Sequence, residues 1–466
     1  MILPFGVLLA TIALAPVLRP QWWLKHYPKV ALSLGAVTLA YYVFGLQAWP
    51  RILNVGHEYV SFIALIGSLF VVSGGIHIGV KGRSTPAQNV LFLFIGAVIA
   101  NVLGTTGASM LLIRPWLRMN QERVKAYHIV FFIFIVSNIG GCLTPIGDPP
   151  LFLGYLKGIP FWWVGEHCWP MWSVGVGYLL AVFYALDVRD FRRSPAPTTS
   201  APEAGGGEWR FEGRWNLAFL ALIIVAVFIN QPLFLREGLM LAAAAGSWFA
   251  TKKSVHEANQ FNFHPIQEVA ILFIGIFATM MPALDWLQNN AATMGRPTPA
   301  LFYWASGGLS SVLDNAPTYL SFLSAIFGSF VPAGLTDQVM AAMQQPIHDL
   351  AAATAVDSET LRNTINALKQ IHGENISAGS LTKEDVEVAF ILGSPANNLY
   401  VMAISIGAVF FGAATYIGNG PNFMVKAIGE HQKVPTPGFI SYVLRYTIPC
   451  LLPLLILLWF LFFRAH

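Results

Sequence analysis

Gly141-Cys142-Leu143-Thr144-Pro145-Ile146-Gly147-Asp148-Pro149-Pro150 returns in altered form as Gly412-Ala413-Ala414-Thr415-Tyr416-Ile417-Gly418-Asn419-Gly420-Pro421, each copy set in strongly apolar sequence. Lipid offers no partner to freed backbone N–H and C=O groups. Helix-breaking Gly and Pro at membrane depth are therefore tolerated where they line a protein cavity or an ion path. Two such breaks in one chain point to a protein that passes something across a membrane.

Composition agrees. The chain of 466 residues is 55% hydrophobic and only 11% charged, with a mean hydropathy of +0.59, against roughly 25% charged residues in an average soluble domain. Apolar segments of membrane-crossing length fall near 2 to 18, 30 to 49, 58 to 80, 127 to 156, 171 to 187, 215 to 235, 266 to 287, 388 to 418 and 440 to 463. Shorter or broken ones lie near 88 to 117, 238 to 250 and 300 to 331. The first segment has no basic region and no small-residue cleavage site, so it is expected to be a retained span. Cys142, Cys168 and Cys450 are too few and too scattered for a disulfide framework or a metal knuckle, and are expected to be inert packing residues. A net charge of +4, with Lys and Arg at span ends, gives no case for nucleic-acid binding.

Basic residues fix the expected orientation. Arg19, Lys25 and Lys29, then Lys81 and Arg83, then Arg114, Arg118, Arg123 and Lys125, then Arg189, Arg192 and Arg193, then Lys252 and Lys253 can all lie on the cytoplasmic side. The N-terminus is then outside. The segment 88 to 117 starts and ends inside, as a re-entrant hairpin does, and the acidic insertion 333 to 386 falls outside.

Shifting the chain by 210 sets Glu58 on Glu268 and Ala100 to Thr106 on Ser310 to Ala316, and a shift of 271 sets Thr144, Ile146, Gly147 and Pro150 on Thr415, Ile417, Gly418 and Pro421. The expected fold is an all-α polytopic membrane protein with two inverted repeats, each holding a re-entrant hairpin and an interrupted helix. Its parts are N-terminal spans (1–54), a first repeat (55–165) with hairpin 88–117 and interrupted helix 127–156, and connecting spans (166–264) with a flexible linker at 190–214. A second repeat (265–430) follows, with hairpin 300–331, polar insertion 333–386 and interrupted helix 388–425, then a C-terminal span (431–466). In such builds substrate and ions sit near the midplane between hairpin tips and unwound helices.

The run Ser137 to Pro150, with Leu313-Asp314-Asn315-Ala316-Pro317-Thr318 and Ile417-Gly418-Asn419-Gly420-Pro421-Asn422, resembles the ion-transporter superfamily of arsenite permeases, sodium/proton antiporters and divalent-anion/sodium symporters. Within it the chain is most similar to a branch named both for sodium/proton antiport and for citrate transport. The resemblance implies a homodimer whose scaffold helices hold a mobile transport domain moving as an elevator. The hairpin tips, Gly104-Thr105-Thr106-Gly107 and Asp314-Asn315-Ala316-Pro317, depart from the Ser-Asn-Thr tips of the dicarboxylate symporters.

Two intramembrane carboxylates are the chief candidates. Asp148 precedes two prolines, so it belongs to unwound backbone, and an ionisable group at that depth is a functional candidate by default. Asp314 occupies the second predicted tip. Its counterpart is Gly104, and that of Asp148 is Asn419, so each half contributes one carboxylate. Asp148 and Asp314 are the candidate Na⁺ ligands, with neutral oxygens from Thr144, Thr415, Asn315, Asn419, Thr105, Thr106, Thr318, Asn422, Ser137 and Asn138. Desolvation generally favours a protonated carboxyl, and competition between H⁺ and Na⁺ (or Li⁺) at one site suffices for antiport. Glu58 and Glu268 each precede an apolar helix and are expected to cap it. His57 is expected at the interface, His77 near the end of its helix, and Asp285 and Trp286 at the outer end of theirs. Leu361, Ile365, Leu368 and Ile371 repeat at helical spacing within Asp357 to Ile371.

The expected function is exchange of Na⁺ (or Li⁺) for H⁺ by alternating access, without a cofactor, in a multi-pass protein of a bacterial inner membrane. The alternative is a Na⁺-coupled citrate or dicarboxylate carrier, for which Ser, Thr, Asn and backbone N–H would supply donors. An intramembrane aspartyl protease would use two aspartates, but the usual Gly-x-Gly-Asp is missing, and so is a nucleotide-binding G-x-x-x-x-G-K-[ST] loop.

Overall fold

The computed structural model describes residues 1–79, 84–193, 210–229, 231–290, 297–344 and 358–464. Among them, seven helices are long and apolar enough to cross a bilayer, or eight if the pair Asn315–Phe330 and Leu335–Met343, bent by 82°, counts as one. The chain is an all-α polytopic membrane protein, with one small exception described below.

In chain order the first helices are α1 (Leu3–Leu18), α2 (Pro20–Ala40), α3 (Trp49–Gly74), α4 (Pro86–Met119), α5 (Ala126–Ile135), α6 (Pro149–Leu156) and α7 (Trp163–Arg193). After them come α8 (Asn216–Val227), α9 (Leu235–Ala250), α10 (Lys253–Ala258), α11 (His264–Asn290), α12 (Pro299–Ser310) and α13 (Asn315–Phe330). The insertion supplies α14 (Leu335–Gln344), α15 (Ser358–Ile371), α16 (Gly373–Ser377) and α17 (Lys383–Leu392), followed by α18 (Pro395–Phe411), α19 (Gly420–His431) and a last span, Phe439–Phe463.

α4 doubles back on itself. Thr85 opens it with a capping box, its hydroxyl accepting from Gln88 N while Gln88 returns to Thr85 N, and Pro86 sits where its missing N–H costs nothing. At mid-length Gly104 takes φ +72°, a left-handed conformation that favours glycine. Beyond it the chain returns until Ser84 N–H donates to Met119 O at 3.2 Å and Asn89 and Asn120 exchange amide hydrogen bonds at 2.8 and 3.1 Å. α12 and α13 fold back in the same manner across residues 311–314. α12 is opened by Thr298 and Pro299, and the ring of Tyr400 meets both Phe302 near the start and Phe330 at the end of the pair.

α5 is apolar all round, and Tyr127 to Ile135 are buried without exception; such a helix must be surrounded by protein. α18 plays the same part, buried from Ala403 to Phe411. These two helices form the middle of the molecule, and each ends in the broken stretch quoted above. On the flank α2 packs along α11 so closely that a Cβ on Gly275 would lie 2.8 Å from Ala31 O. α3 packs on α9 and α11.

Several expectations are corrected. α3 begins at Trp49, so Glu58 lies well inside the helix rather than capping it, and Lys157 donates to it at 2.6 Å. α3 also stops at Gly74, and His77 belongs to a strand, β1 (His77–Gly79), instead of a helix end. β1 pairs antiparallel with β2 (Arg210–Glu212), so the predicted linker is ordered at both ends, α7 running to Arg193; residues 194–209 lie outside those described. α11 continues past Asp285 and Trp286 to Asn290.

The insertion forms a satellite core. Leu335, Val339, Ala342, Leu368, Val386 and Ala389 pack together apart from the main one. The periodicity over Asp357 to Ile371 becomes α15, with Leu368 fully buried; Asp357 itself lies outside the described residues.

Candidate functional site

Asp148 and Asn419 stand at matching places. Each is the residue before a helix, α6 or α19, and each is extended, with φ −142°, ψ 141° for Asp148 and φ −154°, ψ 140° for Asn419. Neither side chain caps its own helix, which leaves both free to reach across. Asn419 Nδ2 donates to Asp148 Oδ1 at 3.0 Å. Thr105 Oγ1, just past the reversal of α4, donates to the same oxygen at 2.8 Å. Asn315 Nδ2, the first residue of α13, donates to Asp148 Oδ2 at 2.6 Å. The carboxylate has no exposed surface.

Four helices therefore begin around one carboxylate: the returning arm of α4, α6, α13 and α19. Their N-terminal ends carry partial positive charge and favour an anion. Two of the three donors, Thr105 and Asn315, are themselves related by the 210-residue shift.

The breaks are held to the hairpin tips by equivalent bonds. Thr144 Oγ1 donates to Asn101 O at 2.6 Å, and Thr415 Oγ1 donates to Ser311 O at 2.6 Å. Each threonine hydroxyl also accepts backbone N–H bonds, from Gly147 in one case and from Ile417 and Gly418 in the other. The glycines set six apart close both loops: a Cβ on Gly147 would lie 2.0 Å from Gly141 O, and one on Gly418 2.6 Å from Gly412 O. Part of the unwound backbone is thus satisfied by the protein itself.

The remaining candidates form a support around this centre. Asn138 accepts from Asn419 at 3.1 Å and donates to Asn422 Oδ1 at 2.7 Å, while Asn422 donates to Gly412 O and Thr415 O. Ser137 shares a hydroxyl bond with Ser109 at 2.7 Å. Thr106 lines a small pocket with Leu65, Leu69, Ile146 and Phe152. Asp314 makes no hydrogen bond to Asp148. Its carboxylate caps α13 through Ala316 N at 3.1 Å, and its carbonyl accepts from Thr318. Among the described residues no group of three or more His, Cys, Asp or Glu could hold a metal ion.

Sequence reasoning passed over a second buried carboxylate. Asp187 in α7 is fully buried and accepts from both guanidinium ends of Arg123, from Tyr127 Oη at 2.8 Å and from Asn89 Nδ2 at 2.9 Å. His128 Nε2 lies 3.5 Å away. It ends the apolar run 171 to 187, and in the sequence it reads as the polar end of a span. Arg236 and Glu237 were likewise missed; they pair with each other and with Ser61 of α3.

With the geometry in place, two comparisons bear on it. The profile of a family described as "Putative citrate transport" matches residues 1–463. A "46 kDa membrane protein" of Mycobacterium leprae (strain TN) is 25% identical over 274 residues, which cover 55% of this chain and 63% of that protein, less than two thirds of its length.

Proposed function

The chain belongs to this citrate-transport family, and from that premise we propose that it is a secondary carrier moving a small carboxylate such as citrate, coupled to a cation, Na⁺ or H⁺, held by Asp148. The family match supports a membrane transporter rather than an enzyme. The observation that carries the finer reading is the single buried carboxylate at the start of four helices.

Helix N-termini attract an anion, whereas Asp148 repels it. Two like charges 4 Å apart at an effective dielectric of 20 interact by about 4 kcal/mol, roughly a thousandfold in binding. A carboxylate substrate is therefore bound well only when a proton or Na⁺ has neutralised Asp148, which makes coupling a matter of electrostatics. The amides suit either state. Asn315 and Asn419 donate to the bare carboxylate, and turned over they offer oxygens to a cation. Asn315 Oδ1 is buried without a hydrogen-bond partner among the described residues.

In the same proposal α4 and α12–α13 are re-entrant hairpins of two inverted repeats, consistent with their matching tips, threonine bonds and breaks. Exchange of Na⁺ for H⁺ without a carboxylate is the second reading, favoured by the lack of Lys or Arg among the described hydrogen-bond partners of Asp148. Proteoliposomes decide. Labelled citrate uptake driven by a Na⁺ or pH gradient, and lost in Asp148→Asn with protein retained in the membrane, is expected. Gradient collapse by Na⁺ with no citrate uptake would select the second reading, and unimpaired citrate uptake by Asp148→Asn would remove Asp148 from the coupling site.

A further inference from the structure

Three arginines are buried among the described residues: Arg114 at 6% exposure, Arg123 at 5% and Arg236 at 8%. Arg123 is neutralised by Asp187 and Arg236 by Glu237. Arg114 has neither an ion pair nor a hydrogen bond among the described residues, and its Nε is wholly enclosed and orphaned. Arg118, one turn along the returning arm of α4, adds a repulsive charge.

A buried guanidinium with no counter-charge is costly, because burial strips water from its charge and, at Nε, leaves a donor unpaired. Guanidinium geometry matches carboxylate and phosphate oxygens, which it binds through two parallel hydrogen bonds. Arg118 is exposed and lies one turn nearer the end of α4, as a second cation at the mouth of a site would. The basic run Arg114, Arg118, Arg123 and Lys125 marks this end of α4 as the one expected at the cytoplasmic face, where anionic headgroups concentrate.

We propose that Arg114, assisted by Arg118, is an anion-binding site for an oxyanion, separate from the Asp148 centre. The group it takes is the phosphate of an anionic lipid or the carboxylate of a soluble anion; both offer the same paired oxygens. The lipid source needs no transport activity, so the proposal does not depend on the function assigned above.

The full chain, purified and held in phosphatidylcholine nanodiscs, is titrated with short-chain phosphatidylglycerol, with citrate and with inorganic phosphate, and affinity is read from the rise in melting temperature. Wild type is expected to bind at least one of them, and Arg114→Gln to bind that probe about tenfold more weakly, the effect of losing a charge-assisted pair. Lys29→Gln, which removes an exposed lysine of α2, is expected to change nothing. Selective loss of phosphatidylglycerol identifies a lipid site, and selective loss of citrate or phosphate a soluble anion. If none of the probes stabilises wild type, or if Arg114→Gln binds as wild type does, the proposal is overturned. Should Arg114→Gln fail to fold, Arg118→Gln carries the test, and unchanged affinity there overturns it.

Discussion

Asp148 is held by three side chains from three other helices, so each donor can be removed singly while the fold stays. Thr105→Val deletes one hydrogen bond to a charged group, worth about 1.5 to 3 kcal/mol. Coupling-ion dependence measured in proteoliposomes is expected to shift by roughly 10- to 100-fold; an unchanged ion dependence would show that Thr105 only packs. Much of this centre could be read in the sequence. Two prolines after Asp148 and the Gly-Pro after Asn419 forbid regular helix there, and the 210-residue shift pairs Thr105 with Asn315. Asp314 was harder. Its carboxylate and that of Asp148 look alike as intramembrane acids, but one residue decides the matter: as the residue before α13, Asp314 turns back onto Ala316 N–H, and Asn315 faces Asp148. A local capping bond of that kind leaves no trace in periodicity.

At the scale of elements, the open end of the α4 hairpin is fastened by Asp187, which ties α7 to Asn89, Arg123 and Tyr127. Asp187→Asn leaves the Arg123 guanidinium buried and uncompensated, a loss of about 3 to 5 kcal/mol. Asp187→Asn combined with Arg123→Met is expected to recover most of it, as a double-mutant cycle in unfolding experiments would reveal. The insertion makes a separate test. His372 lies 3.5 Å from Asp385, and burial pushes its imidazole below the usual 6.5 while the Asp385 charge opposes the shift. A proton then binds the unfolded segment before the folded one, so stability is complete above 6.5 and falls as pH drops through that value and below. Hydrogen exchange over α15 and α16 is expected to gain protection loss on acidification in wild type and to keep a flatter profile in His372→Gln. α15 was legible because a soluble helix shows its face at regular spacing; the fastening of α4 was not, since Asn89, Asn120 and Asp187 are brought together only by the reversal at Gly104.

Across the whole molecule, chain order and spatial neighbourhood are interleaved. α1, α2 and α3 lie with α8, α9 and α11, while α4 to α7 meet α13, α18 and α19, and α11 on α13 and α3 on α4 join the two sets. The placement of most spans followed from hydropathy, but not their number: nine apolar segments of crossing length stand in the sequence, and seven helices among the described residues are long and apolar enough. The neighbours did not follow from it, because lipid-facing and protein-facing apolar residues have the same composition, and pairings such as α2 with α11 rest on Ala31 and Gly275 fitting together. One seam in this arrangement is not covalent. β1 and β2 join His77 to Glu212 and Gly79 to Arg210, Asn216 Nδ2 donates to Gly75 O at 2.7 Å, and Asn259 Nδ2 to Gly74 O and Ile76 O at 2.8 Å. Residues on either side of the connection between Arg193 and Arg210 are therefore registered by bonds that would survive its cutting. Two genes, one ending at Arg193 and one beginning at Arg210, should yield polypeptides that copurify and transport together, and failure of the pieces to associate would show that the link itself directs assembly. The ribbon is thus expected to make this membrane protein divisible, so that what is translated as one chain could be manufactured as two.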